Sequence, residues 1–117
     1  MKSKQELLLS NLKDTSSLYE IQTYIKEIID IRGFGNQNIE QTMLLLTEEV
    51  GELAKAIRKD ATTMSSDKSK LYNYDSIESE VADVFIVLTS ICNKLNIDMF
   101  KALEEKEKIN INRNWTR

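Results

Sequence analysis

The chain's 117 residues include no proline and only three glycines, and this scarcity of breakers constrains its fold more than any other feature. Proline stops a helix and glycine loosens one, so a chain nearly free of both can sustain long helices. Its apolar residues recur three and four positions apart rather than in alternation, the period of a helix with one buried side. The expected class is all-α. Ser17 is placed to cap a first helix that runs to about Arg32 and carries Leu18, Ile21, Ile25 and Ile28 on one face. Gly33-Phe34-Gly35-Asn36 then breaks it. Asn38-x-x-Gln41 has the form of a capping box, opening a second helix to about Lys59, and Asp75-x-x-Glu78 repeats that form for a third helix ending near Leu95 and Asn96. Asp98 caps a fourth helix reaching about Asn112. The polar stretch from Asp60 to Tyr74 reads as a loop. Residues 1–16 form an N-terminal extension in which Leu7, Leu8, Leu9 and Leu12 suit a short helix, leaving residues 17–117 as one four-helix, bundle-like domain.

Histidine is absent as well. That removes Ser-His and Cys-His nucleophile systems, conventional zinc sites and the Glu-x-x-His pairs of di-iron bundles. Carboxylates remain as the chemistry at hand. A net charge of −3 disfavours binding to a nucleic-acid polymer, and an anionic substrate would need a cation to bridge it to the protein. The longest apolar run, Val84 to Leu88, falls far short of the roughly 20 residues of a membrane span. Leu7 to Leu9 is too brief for a signal-peptide core. No membrane association and a cytoplasmic location are expected. The single cysteine, Cys92, cannot form an intrachain disulfide, and on an apolar helix it suits a small core residue better than a nucleophile.

Along the second helix Ile39, Met43, Leu46, Val50, Leu53 and Ile57 alternate steps of four and three, and the third helix repeats this with Ile77, Val81, Val84, Leu88, Ile91 and Leu95. These are bundle seams, expected to form the core. One residue back from each seam, a rotation of about 100° around the helix, the flanks read Leu45, Glu49, Glu52, Ala56 and Ser76, Glu80, Asp83, Val87. Each helix thus carries two acids at i and i+3 beside its seam. Like charges at that spacing repel, so something must compensate. If the two helices are antiparallel neighbours, the pairs face each other as a four-carboxylate cage, which suits a hard cation such as Mg²⁺ or Mn²⁺. The plain alternative is solvated acids on amphipathic helices, and two pairs at one shared offset argue against it.

Glu48-Glu49-Val50-Gly51-Glu52-Leu53 and Glu80-Val81-Ala82-Asp83-Val84 together resemble the MazG-like nucleoside triphosphate pyrophosphohydrolases. This all-α superfamily also contains the dimeric dUTPases and phosphoribosyl-ATP pyrophosphohydrolases, and its hallmark is Glu-Glu-x-x-Glu followed by Glu-x-x-Asp. The resemblance runs from about Leu18 to Trp115. It implies magnesium binding by Glu49, Glu52, Glu80 and Asp83, the same four acids that the periodicity selects. By resemblance Glu48 orients or deprotonates the attacking water; as a bland alternative it is a surface acid. Gly51, unfavourable inside a helix by about 1 kcal/mol, suggests a close helix approach. The ending Lys106-x-x-x-Asn110-x-x-Arg113-x-Trp115 is similar to the family's C-terminal pattern, in which Lys and Asn contact phosphate or sugar. Met99, Leu103, Lys106, Asn110 and Arg113 share one stripe of the fourth helix, apolar at its start and basic at its end, although the cations could simply complement the helix dipole. Phe34 stands where relatives place an aromatic near the base, and its alternative is a plug at the bundle end. Arg58, Lys59, Tyr72 and Tyr74 are weaker candidates for substrate contact.

The resemblance implies hydrolysis of a nucleoside triphosphate to the monophosphate and pyrophosphate, with Glu48 and Glu49 catalytic and Lys106, Asn110, Arg113 and Phe34 binding substrate. It also implies a homodimer or homotetramer. The alternatives are a dUTPase-like enzyme of narrow specificity on the same site, and a non-catalytic helical regulatory or interaction module.

Overall fold

A computed structural model describes residues 1–61 and 76–116. Among these, every regular element is a helix: α1 (Lys4–Ser10), α2 (Leu18–Ile31), α3 (Ile39–Ala61), α4 (Ile77–Lys94) and α5 (Met99–Ile111). The short leucine-rich segment is therefore helical, capped by Ser3, whose hydroxyl accepts from Glu6 N. None of these helices is long and apolar enough to cross a membrane. The loop expected around Asp60–Tyr74, the Asp75 cap and the candidates Tyr72 and Tyr74 fall on residues outside the described ones, apart from the Asp60 end, which belongs to α3.

Most helix ends lie where side-chain chemistry puts them. Ser17 and Glu20 close a full capping box on α2. Asn38 N donates to Gln41 Oε1 at 3.0 Å, while Gln41 N donates to Asn38 Oδ1 at 2.8 Å, a second reciprocal box on α3. Asp98 caps α5 by accepting from Lys101 N. At α4 the capping oxygen is Ser76 Oγ, which accepts from Ser79 N at 3.2 Å. The C-terminal stops are equally specific. Gly33, at φ 87°, lets Gly33 N and Phe34 N turn back to the carbonyls of Asp30 and Ile29, and Asn96, at φ 56°, lets Asn96 N and Ile97 N reach Asn93 and Cys92. Both are Schellman closures, which satisfy carbonyls that a helix end leaves without donors. A Cβ at Gly35 would collide with the Asp30 carboxyl. Gly51 is different. A Cβ there meets nothing within 4 Å, so among the described residues no close helix approach explains it, contrary to expectation.

The chain forms two compact units, Met1–Asn36 with Cys92–Arg117, and Gln37–Ile91. In the first, α2 packs against α1 and α5, and Ile25 and Ile28 of its expected face are buried at 3% and 1% exposure. The polar Gln22 is buried on the same face. Its amide donates to Asn93 Oδ1 (3.1 Å) and to the Ile97 carbonyl (2.8 Å), its Oε1 accepts from Met99 N (2.9 Å), and Asn93 Nδ2 returns a bond to the Gln22 carbonyl (2.9 Å). This knot ties α2 to the α4–α5 corner. Helix α5 has no buried residue, and Leu103 is exposed, so the expected apolar anchor at its start is replaced by the Gln22 bond to Met99.

In the second unit the seams divide. Ile39, Leu46 and Leu53 of α3 and Ile77 and Val84 of α4 are half-buried, whereas Met43, Val50, Ile57, Val81 and Leu88 are exposed. The buried positions are instead Thr42, Ala56, Glu80, Val87 and Ser90, in line with the acidic flanks, together with Thr89, which lies on neither stripe. The expectation that the seams are the core is thus corrected. Each helix turns its flank and half of its seam inward, and the other half is left uncovered.

Candidate active site

Helix α3 presents Glu49 half-buried, and α4 presents Glu80, only 6% exposed, with Asp83 half-buried one turn on. One oxygen from each of these carboxylates lies within 4.8 Å of the others. Glu80 lies in the first turn of α4, where the free N–H groups of a helix start favour negative charge. Glu49 has no such relief. Burial raises its pKa above the ordinary carboxylate value, and the charges of Asp83, Glu80, Glu52 and Glu48 push in the same direction.

The donor chemistry fits a hard divalent cation. Carboxylate oxygens about 2.1 Å from a magnesium ion stand at most about 4.2 Å apart, so small side-chain rotations close the observed spacing. A cluster of acids that raises the pKa of its own member is also the arrangement a cation would relieve. Glu52, the fourth selected acid, points its carboxylate to Lys55 Nζ at 3.6 Å. Both partners are about half exposed, and such surface pairs contribute roughly 0–1 kcal/mol, so this pairing is readily exchanged for a cation. Glu48 is exposed beside Glu49 and close enough to act on its charge.

Of the other selected residues, Phe34, Lys106, Asn110 and Arg113 belong to the first unit, and Arg58 and Lys59 to the second. Lys106 is exposed on α5. The Asn110 amide donates to Glu107 Oε2 at 3.1 Å, so it is engaged with its own helix. Arg113 lies just past the end of α5 with its guanidinium 5.4 Å from the Trp115 ring centroid. Phe34 is half exposed, and its backbone N–H completes the α2 closure. Lys59 pairs with Asp60 at 3.6 Å, and Arg58 is half-buried beside it. Burial pushes the Cys92 thiol above its ordinary pKa, which suits an inert packing residue. A cavity of about 570 Å³ lies beside the Gln22 knot, lined among others by Lys26, Glu27, Asp30 and Asp98, and none of the residues selected from the sequence lines it.

The Gln22–Asn93 knot, the Lys55 partner of Glu52 and the Trp115 contact with Arg113 were not expected from the sequence. Gln22 had a signal, being a polar residue at helical spacing between Leu18 and Ile25 on an apolar stripe. Lys55 lies three residues from Glu52, a spacing at which helical side chains meet.

A search of individually characterised proteins gave no match. The sequence pattern of the MazG nucleotide pyrophosphohydrolase domain matches residues 37–114, well over half of the chain, and both acidic motifs and the Lys106-Asn110-Arg113 stripe fall inside that span. The chain belongs to the MazG nucleotide pyrophosphohydrolase domain family.

Proposed function

We propose that the protein is a magnesium-dependent nucleoside triphosphate pyrophosphohydrolase, releasing pyrophosphate and a nucleoside monophosphate. The observation that carries this reading is the convergence of Glu49, Glu80 and Asp83, acids of two separate motifs, within 4.8 Å. These three hold the cation, and Glu52 joins them on leaving Lys55. When bound, magnesium neutralises polyphosphate charge and acidifies water. Glu48, exposed beside the cluster, orients the attacking water and accepts its proton. Glu49 fixes the cluster on the α3 side. Lys106 and Arg113 bind phosphate oxygens, Asn110 binds phosphate or sugar, and Phe34 offers a face to the base. No covalent enzyme intermediate is required. In this reading residues 17–117 act as one catalytic domain in the cytoplasm, with residues 1–16 as an extension.

The same reading makes the protein a homo-oligomer. Met43, Val50 and Ile57 lie seven residues apart on α3, as Val81 and Leu88 do on α4, and all five are exposed. Apolar lines of that period are what helices bury against other helices, and a second copy of the chain supplies a matching pair.

The test is product analysis after incubation with a panel of ribo- and deoxyribonucleoside triphosphates, with Mg²⁺ and with a chelator. Monophosphate and pyrophosphate in equal amounts, formed only with metal, are the expected products. Diphosphate with orthophosphate, or no turnover of any nucleotide, would overturn the reading.

A further inference from the structure

Past the last turn of a helix an exposed arginine ordinarily spreads its guanidinium over many rotamers. The segment after α5 is built otherwise. The Asn110 carbonyl, one of those a helix end leaves without an intrahelical donor, accepts from Arg113 N at 3.1 Å and from the Trp115 indole Nε1 at 3.0 Å. The indole is thereby fixed against the last turn of α5, and the Arg113 guanidinium lies 5.4 Å from its ring centroid. A cation–π contact of this kind restrains the guanidinium on the side of the ring and leaves its other N–H groups for a further acceptor. Among the described residues the guanidinium is in no ion pair with a carboxylate. An in-plane fork of N–H donors held ready is the geometry that phosphate oxygens take up.

We propose that Trp115 is a positioning residue for Arg113, restraining its guanidinium against the ring so that its remaining N–H groups are presented to the phosphates of the substrate. The proposal rests on the reading of Arg113 as a phosphate contact. It goes further by assigning a task to an aromatic residue that is itself 65% exposed and contributes little to any core. The latch lowers the ordering cost of binding and leaves the chemical step alone, so its loss raises KM and spares kcat.

Trp115 is the only tryptophan in the chain, so its emission reports on the latch directly. Inorganic pyrophosphate with Mg²⁺ serves as the probe because it does not absorb where indole does. In the wild type a saturable change in emission is expected, and in Arg113→Gln that change is lost. In parallel, Trp115→Leu should raise KM for the nucleotide roughly threefold to tenfold with kcat held within about twofold, a size set by an exposed cation–π contact. Trp115→Phe, which keeps the stacking face, should recover part of that loss. If Arg113→Gln leaves KM unchanged, the phosphate role of Arg113 fails. If Arg113→Gln raises KM and Trp115→Leu does not, the positioning role alone is refuted. A fall in kcat with constant KM in Trp115→Leu would also overturn it.

Discussion

At the residue scale the determining fact is an unfavourable one. Glu49 titrates at the ordinary carboxylate value when unfolded and above it when folded, because burial and four neighbouring acids oppose its ionisation. Between those two values the native state binds more protons than the unfolded state, so stability falls as pH rises through the window, and ionised Glu49 is a net cost at neutral pH. With a chelator present, the melting temperature should therefore rise as pH is lowered from neutral into that window. Glu49→Gln should melt higher than the wild type at pH 7 and show a shallower slope, read by thermal denaturation at several pH values. A second residue follows similar logic. Thr89 is fully buried and among the described residues its Oγ1 has no hydrogen-bond partner, so Thr89→Val, which keeps the shape and removes the stranded hydroxyl, should stabilise by about 1 kcal/mol in urea titrations. The acids themselves were legible in the sequence because charge at a fixed helical offset is a pattern. The stranded hydroxyl was not, because burial of one threonine depends on which side of α4 faces inward.

At the scale of elements, helix ends were the most legible feature, since caps are local chemistry. Ser17, Asn38 and Asp98 each act within three residues of the backbone they satisfy. What could not be read was contact between distant segments. Gln22 bonds to Asn93, Ile97 and Met99, and no local spacing encodes that partnership. Replacing Gln22 by Leu leaves the Met99 N–H and the Ile97 carbonyl without this partner and should cost about 3 kcal/mol, measured as a lower urea midpoint at unchanged m-value. A loss below about 1 kcal/mol would mean that water satisfies the corner and that the knot is ornamental.

For the whole molecule, periodicity identified the apolar lines of α3 and α4 but not what covers each. Leu46 and Leu53 turn inward while Val50 and Ile57 turn outward, although all four belong to one seam. A single sequence shows that such a stripe wants a neighbour without saying whether the neighbour is in the same chain. In the proposed oligomer the outer lines meet a second copy, so Val81→Lys combined with Leu88→Lys should shift sedimentation from a dimer or tetramer to a monomer, whereas a wild type monomeric at high concentration would contradict self-association. The central claim, that α3 and α4 gather acids for a cation at a cost in the metal-free state, is tested most directly by melting temperature against Mg²⁺ concentration at pH 7 for the wild type and Glu49→Gln. The wild type should start lower and rise with Mg²⁺, and the variant should start higher and respond weakly. A wild type indifferent to Mg²⁺, or equal responses from both proteins, would contradict it.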